Sequence, residues 1–305
     1  MDGVVVEGLT KSFGETEAVK ALTFSVSKGE LFGIIGPDGA GKSTLFRLLA
    51  TLLLPGSGSA SIDGFHLVSQ YKEIRKQVGY MPGKFSLYQD LSVEENLHFF
   101  AAVFDTTPSE NGWLIADIYR QLEPFRHRRA GALSGGMKQK LALCCALIHK
   151  PSLLLLDEPT TGVDPVSRKE FWAILRNLKQ AGITILVSTP YMDEALLCER
   201  IALMQEGAFL QIGTPAQMIA SYPETLWAVK ASNMSLLLRD IRTHSKVKSC
   251  HAFGQVHHVT LDSDLSETHF RQYLQERGHS HLEMQTVIPG IEDCYMYAAN
   301  TKIYG

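Results

Sequence analysis

The segment GPDGAGKST, residues 36–44, combines glycines, a lysine and two hydroxyl residues at the spacing of a phosphate-binding loop. Its glycines would let successive backbone N–H groups converge on phosphate oxygens. Lys42 would neutralise phosphate charge, and Ser43 would offer an oxygen to Mg²⁺, a hard cation that takes few protein ligands. A short apolar run, Leu31–Ile35, precedes the loop, and apolar residues at helical spacing follow it. Because this motif requires the order strand, loop, helix, the segment predicts a nucleotide phosphate site.

A pair of acids follows the apolar run Leu153–Leu156. Asp157, at the end of this predicted strand, would hold Mg²⁺ directly or through water, as acids do at phosphoryl-transfer sites. Glu158 would face the terminal phosphate and polarise or deprotonate the attacking water, a role that contributes about 10²–10⁴-fold in rate. The competing interpretation is a solvated acidic turn after a core strand.

The segment LSGGMKQK, residues 133–140, provides a second potential anion site before that strand. It presents a serine hydroxyl, glycine N–H groups and the start of a helix, which we expect from about Lys138. One chain rarely needs two anion sites for one triphosphate. We therefore expect the segment to serve a nucleotide held by a different subunit, although by itself it could be a glycine hinge before a helix.

Together, GPDGAGKST, LSGGMKQK, LLLLDEPTTGVDP and STPYMDEA resemble the motifs of the nucleotide-binding domain of ATP-binding cassette (ABC) transporters. The resemblance covers roughly residues 4–220. Within the family, the chain is most similar to the ATPase subunits of ABC-2-type exporters and to the first half of subunits with two tandem ATPase domains. The tail at residues 287–297 is similar to the P-x-x-E-D-x-F ending of the exporter group, with Tyr295 or Met296 in place of the phenylalanine.

The resemblance implies a role for each matching residue, with ATP and Mg²⁺ as the ligands. Phe13, in KSFG, would stack on adenine, the alternative being a core or hairpin aromatic. Asp164 would lie at a dimer seam. Leu87–Asn96 would border a groove for a cytoplasmic helix of the membrane subunit, unless it is an ordinary helix-start loop. The residues expected to hold this chain's own ATP are Gly36, Gly39, Ala40, Gly41, Lys42, Ser43 and Thr44. Those expected to close on the opposing subunit's ATP are Ser134, Gly135 and Gly136.

The chain departs from the family pattern at two positions of the nucleotide site. Gly83 stands where the family usually has a glutamine that touches Mg²⁺ and the attacking water, and the neighbouring Lys84 is a poor metal ligand. Pro190 stands where a histidine usually contacts the γ-phosphate, and proline offers neither a side-chain donor nor a backbone N–H. Losing one such contact typically costs about 10²–10³-fold in rate. The pattern predicts a site that binds ATP and turns it over slowly, while the retained Glu158 favours turnover.

The order of predicted elements favours the α/β class, with a P-loop ATPase core that contains a mixed sheet and an antiparallel β subdomain. Residues 4–26 alternate as short antiparallel strands, and a helical subdomain is inserted at about residues 83–146. Ser92–Glu95 matches a capping box that starts a helix in this insert. We expect the nucleotide-binding domain over residues 1–221. Residues 222–305 have the order βαββαβ, which predicts a small ferredoxin-like α+β domain with an accessory or regulatory role.

Composition narrows the class of protein. With 45% hydrophobic and 20% charged residues, the chain is typical of a soluble globular protein, and its net charge of −3 argues against a nucleic-acid partner. No apolar run approaches the roughly 20 residues of a membrane helix. No secretion signal is visible at the N-terminus. We expect a peripheral protein at the cytoplasmic face of a plasma or inner membrane, which touches the membrane only through partner subunits.

Cysteine and histidine usage adds little evidence for other chemistry. The five cysteines lack CxxC spacing and are expected to be reduced, packed thiols. Most histidines lie in the last third of the chain, where a metal-sensing module is conceivable. However, His257 and His258 should point to opposite sides of a strand, so surface histidines are the favoured interpretation. The last-third histidines are His244, His251, His257, His258, His269, His279 and His281.

These observations converge on an ABC-type ATP hydrolase, an exporter ATPase that dimerises on ATP and energises separate ABC-2-type membrane subunits. Its second nucleotide-binding domain would be a separate chain or another copy of this one. The alternative is a non-hydrolysing, ATP-gated regulatory subunit that supplies its LSGG segment to a partner ATPase. Translation or repair ATPases of the same superfamily are disfavoured, because they carry two ATPase domains or long coiled coils.

Overall fold

The computed structural model describes the backbone of residues 2–304 and the side chains of residues 2–301. It contains two compact units, a larger one that runs up to Pro215 and resumes at Tyr295, and a smaller one over Ala216–Cys294. The boundary predicted between residues 221 and 222 stays a prediction. Over residues 2–304, every helix is too short or too polar to reach across a bilayer.

The first ten strands belong to the larger unit. They are β1 (Asp2–Phe13), β2 (Thr16–Ser27), β3 (Leu31–Ile35), β4 (Ser57–Ile62), β5 (Phe65–His66), β6 (Val78–Met81), β7 (Leu153–Asp157), β8 (Thr184–Thr189), β9 (Arg200–Gln205) and β10 (Ala208–Gly213). The helices over the same stretch are α1 (Lys42–Leu49), α2 (Tyr71–Gln77), α3 (Val93–Val103), α4 (Gly112–Leu122), α5 (Gly135–Leu147) and α6 (Pro165–Gln180). The next helix, α7 (Pro215–Ala220), lies in the smaller unit except for its first residue.

A six-stranded sheet in the order β10-β9-β3-β8-β7-β6 positions the predicted motifs. The strands from β9 to β6 run parallel, and only β10 is antiparallel to its neighbour. Every residue of β3, β7 and β8 is buried, which explains the nearly continuous apolar runs in these segments. Because the three strands are parallel, their carboxyl ends meet at one edge of the sheet. Asp157 ends β7 at that edge, and the phosphate loop and Pro190 follow β3 and β8 there.

The antiparallel β subdomain differs from its predicted form. Its sheet has the order β2-β1-β4-β5, and its first two strands each span twelve residues, where short strands were expected. The prediction was wrong because the irregular positions are register shifts within the β1–β2 pair and do not break either strand. One such shift lies between Val6 and Leu9. Gly8, with φ +55°, lies at one of these shifts.

Helices α3, α4 and α5 occupy the predicted helical subdomain, and the capping box that starts α3 is present. Ser92 Oγ accepts the N–H of Glu95, and Glu95 Oε2 accepts the N–H of Ser92. The expected start of α5 was wrong, because the helix begins at Gly135. Ser134 Oγ accepts the Met137 N–H at 3.4 Å and so acts as the helix N-cap, which places both glycines in the first turn.

The smaller unit has the predicted ferredoxin-like order. Its elements are β11 (Leu226–Lys230), α8 (Met234–Arg242), β12 (Val247–Phe253), β13 (Val256–Leu261), α9 (Glu267–Glu276) and β14 (Glu283–Val287), and α10 (Ile291–Tyr304) follows them. The antiparallel sheet runs β12-β13-β11-β14, which is the split βαβ arrangement. Leu237, Val259 and Phe270 are fully buried in its core.

The histidines of this unit are not all surface residues, which corrects the favoured interpretation. His257 and His279 are buried, and His258 is largely covered. Each has a hydrogen-bond partner: Met234 O for His257, Asp293 for His258 and Asp240 for His279. Pairing with an acceptor allows burial of an imidazole that would otherwise be costly. Among the described residues, no three His, Cys, Asp or Glu side chains are grouped to hold a metal ion. The five cysteines are buried and free, as expected.

Candidate nucleotide site

The phosphate loop joins β3 to α1 and depends on its glycines. Gly39 and Gly41 have φ values of +81° and +105°, which residues with a Cβ rarely adopt. A Cβ on Gly41 would also clash with the carbonyl oxygen of Ala18, and one on Gly36 would clash with that of Met204. Glycine is therefore required at these positions by conformation and by space, and the loop backbone stays open to a ligand.

Lys42 lies at the centre of the site, with only 3% of its surface exposed. Its ammonium group donates hydrogen bonds to Gly36 O at 2.8 Å and Pro37 O at 3.0 Å, and Glu158 Oε1 lies 3.0 Å away. The carboxylate and the two carbonyls satisfy a cation that would otherwise be buried without a partner. The predicted phosphate-binding cation and the predicted base are thus in direct contact.

Asp157 and Ser43 meet although 114 positions separate them in sequence. Ser43 Oγ donates to Asp157 Oδ1 at 3.1 Å, and Ser188 Oγ donates to the same oxygen at 2.8 Å. One carboxylate and one hydroxyl oxygen are the hard donors that Mg²⁺ accepts, and Mg²⁺ usually keeps several waters besides. The predicted metal ligands therefore fit this ion.

Glu158 has a left-handed backbone, with φ +50°. Its N–H lies 3.0 Å from Ser188 Oγ and 3.1 Å from Ser188 O, which holds the strained conformation in place. Such backbones persist where the surrounding structure enforces them, and they are frequent at functional sites. Ser188 thus orients both acids. The sequence analysis missed this residue, although a polar residue at the end of a buried strand beside Asp157 is the signal that could have revealed it.

The two departures from the family pattern both lie at this edge of the sheet. A Cβ on Gly83 would stand 3.1 Å from the carbonyl oxygen of Asp157 and 3.7 Å from its Oδ2, so Gly83 adjoins the predicted metal ligand. Pro190 directly follows β8, whose Thr189 pairs in register with Ile35 at the end of β3. Both positions are therefore well placed to influence the phosphate side of the site.

The signature segment lies against the start of α6. A Cβ on Gly135 would stand 3.4 Å from Gly162 O, and one on Gly136 would stand 2.7 Å from Ser167 Oγ, also near Val163. These atoms belong to the chain around Asp164, not to the phosphate loop. Ser134, Gly135 and Gly136 therefore do not join the phosphate loop in the described structure.

Asp164 and Phe13 have separate local settings. Asp164 caps α6, and its Oδ1 accepts the N–H groups of Ser167 at 3.0 Å and Val166 at 3.1 Å. Hydrogen bonds from Ser167, then from Val166, lower the pKa of the Asp164 carboxyl. Phe13 ends β1 with half of its surface exposed, so it is a hairpin residue outside the core, and Lys11 Nζ lies over its ring at 5.5 Å from the centroid.

A mainly apolar cavity of about 420 Å³ lies beside the site and includes Tyr80, Leu87, Phe100 and His149 in its lining. Burial, and then the charge of Asp157, raise the pKa of Tyr80 to about 12. Burial lowers the pKa of His149 to about 4. The His149 Nε2 lies 3.2 Å from Val78 O, and its Nδ1 has no hydrogen-bond partner within the described residues. Of the predicted groove segment Leu87–Asn96, Leu87 lines this cavity.

Comparison with known proteins identifies the relatives of this chain. The family profile described as "ABC transporter" matches residues 19–161. The chain is 42% identical over 214 residues to the probable multidrug ABC transporter ATP-binding protein YbhF of Escherichia coli (strain K12), covering 70% of this chain and 37% of that protein. It is 30% identical to the linearmycin resistance ATP-binding protein LnrL of Bacillus subtilis (strain 168), and the match covers 95% of this chain and 96% of that protein. It is 39% identical to the Nod factor export ATP-binding protein I of Rhizobium sp. (strain N33), and the match covers 70% of this chain and 72% of that protein.

Solved structures match this chain as well. The cbiO1 protein from Clostridium perfringens, part of the ABC transporter complex cbiONQ, matches 72% of this chain and 91% of its own with a TM-score of 0.64 and 27% identity. The ATP-binding cassette MJ0796, a dimer in a post-hydrolysis state bound to ADP and Pi, matches 69% of this chain and 98% of its own. The TM-score is 0.62 and the sequence identity 26%.

Fold and site define a P-loop nucleotide-binding cassette with an inserted helical subdomain. In particular, the chain belongs to the family of ABC transporter ATP-binding proteins, as the resemblance predicted. The chain spans little more than a third of the length of the E. coli relative.

Proposed function

We propose that this chain is the ATP-hydrolysing subunit of an ABC exporter and energises separate membrane subunits from the cytoplasmic face. The observation that carries the proposal is the convergence of Lys42, Ser43, Asp157 and Glu158 within hydrogen-bonding distance at one edge of the sheet. The names of its relatives, which refer to multidrug transport, linearmycin resistance and Nod factor export, favour export.

Each residue of the site has a role that its chemistry suggests. The loop from Gly36 to Thr44 holds the phosphates of ATP through its N–H groups and Lys42, and Phe13 offers its exposed ring to adenine. Ser43 and Asp157 hold Mg²⁺, which neutralises phosphate charge when bound. Glu158 polarises the attacking water and accepts its proton. When Lys42 turns to phosphate, its ion pair with Glu158 is released, and the carboxylate becomes free to act as a base.

A second nucleotide-binding domain completes the proposed assembly. Ser134, Gly135 and Gly136 lie against Gly162 and Ser167 in their own chain, so they are free of the phosphate loop that they resemble. The N-terminus of α5 would then serve ATP held by the opposing subunit, with Asp164 at the seam. That subunit is a separate chain or a second copy.

The cavity lined by Tyr80, Leu87 and Phe100 suits the proposed membrane partner, an ABC-2-type subunit. Its volume of about 420 Å³ and its apolar lining match the side chains of an amphipathic helix. Since Tyr80 and Met81 lie on β6, which leads to Gly83 beside Asp157, a helix seated there would sense the metal side of the nucleotide site.

A non-hydrolysing, ATP-gated regulatory subunit is the second candidate, and Gly83 and Pro190 favour it. Gly83 lies beside Asp157 but has no side chain to offer to metal or water, and Pro190 has no donor. In this alternative the chain binds ATP structurally and lends its LSGG segment to a competent partner.

The experiment that separates these candidates compares Glu158→Gln with wild type in the membrane complex purified through a tag on this chain. We expect the ATPase rate to fall at least about 100-fold, because the base is lost. Unchanged activity would instead assign the chain the regulatory role. In parallel, Lys42→Ala should abolish binding of a fluorescent ATP analogue to the isolated chain, with the surface substitution Lys28→Ala as its control. Undiminished affinity in Lys42→Ala would refute the assignment of the nucleotide site itself.

A further inference from the structure

A second carboxylate, Glu194, is buried beyond the end of β8, with 2% of its surface exposed. Its Oε2 accepts hydrogen bonds from Thr189 Oγ1 at 2.5 Å and from Thr160 Oγ1 at 3.1 Å. Its Oε1 accepts bonds from Arg168 Nε at 3.1 Å and Nη2 at 3.0 Å. Both oxygens of a buried carboxylate are therefore satisfied, which makes each partner costly to displace.

The partners of Glu194 come from three segments that border the nucleotide site. Thr160 lies two residues after the proposed base, Glu158, and Thr189 immediately precedes Pro190. Arg168 lies in the first turns of α6, the helix that Asp164 caps. One carboxylate thus ties together the segment of the base, the turn after β8 and the helix end proposed to face the opposing subunit.

The turn at Pro190 is held on both sides by this network. The Tyr191 N–H donates to Thr189 Oγ1 at 3.1 Å, and the Tyr191 ring lies against the Arg168 guanidinium, 4.2 Å from its Cζ to the ring centroid. The residue before Thr189, Ser188, hydrogen-bonds Asp157 and the Glu158 backbone. Ser188 and Thr189 therefore connect the two acids of the site to Glu194 through adjacent positions of one strand.

We propose that Glu194 is a positioning residue that sets where Glu158 and the Pro190 turn stand, and that couples both to α6 through Arg168. If any one of the three segments moved alone, a buried carboxylate would lose a hydrogen bond, so the segments move together. A displacement of the α6 terminus on partner contact is then transmitted to the base. The inference rests on the proposed function in taking Glu158 as that base.

The test compares Glu194→Gln and Thr189→Val with the neighbouring substitution Asp193→Asn. Asp193 is mostly exposed and reaches Arg168 only at 3.5 Å, so it is the matched control. We expect the first two variants to lower kcat of the membrane complex about 10- to 100-fold, because small displacements of a catalytic group have effects of this size. ATP affinity should stay within about threefold, because the phosphate loop is untouched.

Backbone amide exchange of the isolated chain supplies the readout that does not depend on turnover. We expect faster exchange over residues 158–161 and 189–195 in Glu194→Gln and Thr189→Val, with no change over residues 31–45 or in Asp193→Asn. Arg168→Met should have the same local effect, and Arg168→Lys should restore part of the rate and of the protection. General destabilisation would instead raise exchange throughout the larger unit.

Unchanged exchange at both segments in Glu194→Gln and Thr189→Val would overturn the proposal. So would equal losses of kcat and ATP affinity. If wild type binds no ATP, the proposed function has failed. If the ATPase rate of wild type does not depend on Glu158, the nucleotide site of this chain does not hydrolyse ATP. In that case amide exchange over residues 158–161 alone decides whether Glu194 positions that segment.

Discussion

At the scale of single residues, two buried charges at the nucleotide site and beside it are each paired with a partly exposed partner of opposite sign. Lys42 meets Glu158, and Glu194 meets Arg168, with 3% and 2% of Lys42 and Glu194 exposed. Burying either charge alone would be strongly unfavourable, so each member holds its partner in place. This pairing explains why the proposed base is ordered against the phosphate loop while the loop remains accessible.

At Pro190 the site is expected to lack a side-chain contact to the γ-phosphate that would raise the rate of hydrolysis. We expect Pro190→His to raise kcat about tenfold or more, since one contact to developing phosphate charge is typically worth 10²–10³-fold. The measurement is steady-state ATPase activity of the membrane complex. Gly83→Gln is the companion variant, with a smaller expected gain because its Cβ would stand only 3.1 Å from Asp157 O. A rate unchanged in Pro190→His would mean that the turn already does without this contact.

At the scale of elements, helix starts recur at the proposed ligand and partner sites. Ser92, Ser134 and Asp164 are the N-caps of α3, α5 and α6, and their side chains accept N–H groups of the first turn. A cap that satisfies these donors also fixes where the positive end of each helix points. The signature segment and the proposed dimer seam are thus defined by the same local chemistry.

Asp164 has two proposed roles, in capping and at the seam, that can be separated. Asp164→Ala should lower the free energy of unfolding, because the N-cap acceptor is lost, whereas Asp164→Asn keeps a side-chain acceptor and should be nearly neutral. Urea unfolding of the isolated chain checks this pair. If Asp164 also acts at the seam through its charge, Asp164→Asn should weaken ATP-dependent pairing in sedimentation, with Asp193→Asn as control. Full pairing in Asp164→Asn would limit Asp164 to its role as a cap.

At the scale of the whole molecule, the larger unit contains two sheets and the smaller unit one, and each unit has its own core. The smaller unit encloses Phe270 and Leu237 between an antiparallel sheet and two helices. The larger unit takes in the chain again from Tyr295, and Tyr295 and Ala299 are buried. A deletion of residues 222–305 made to test the role of the smaller unit would therefore also remove buried residues of the larger unit. A variant that deletes the smaller unit but keeps the residues from 295 on avoids this loss.

Stability of the molecule should depend on pH through His149. Its pKa of about 4 in the folded chain lies below the ordinary 6.5, so the unfolded state binds the proton first. Stability therefore falls as pH drops from about 6.5 towards 4, by up to about 3 kcal/mol. His149→Gln keeps a donor for Val78 O and should remove this part of the pH dependence, whereas the exposed His98→Gln should not. Urea unfolding at pH 7.5, 6 and 5 makes the comparison, and parallel curves for wild type and His149→Gln would contradict it.

Sequence alone determined the motifs, the family resemblance and most elements, because these depend on local patterns, but it assigned no element to the stretch that forms β4, β5, α2 and β6. The phosphate loop needs glycine, buried strands need continuous apolar runs, and a capping box is complete within Ser92–Glu95. The same local reasoning placed α5 too late, since an N-cap at Ser134 was not considered.

The sequence assigned Ser43 and Asp157 to the same Mg²⁺, but only the tertiary structure decided which side chains form hydrogen bonds with one another. Ser43 reaches Asp157 across 114 positions, and Ser188 reaches it across 31, because parallel pairing brings the ends of β3, β8 and β7 side by side. The buried network around Glu194 likewise depends on how α6 and the turn after β8 pack together. Hydrogen bonds between such distant positions follow from the register of the sheet, which no local pattern encodes, and they place the base of this site.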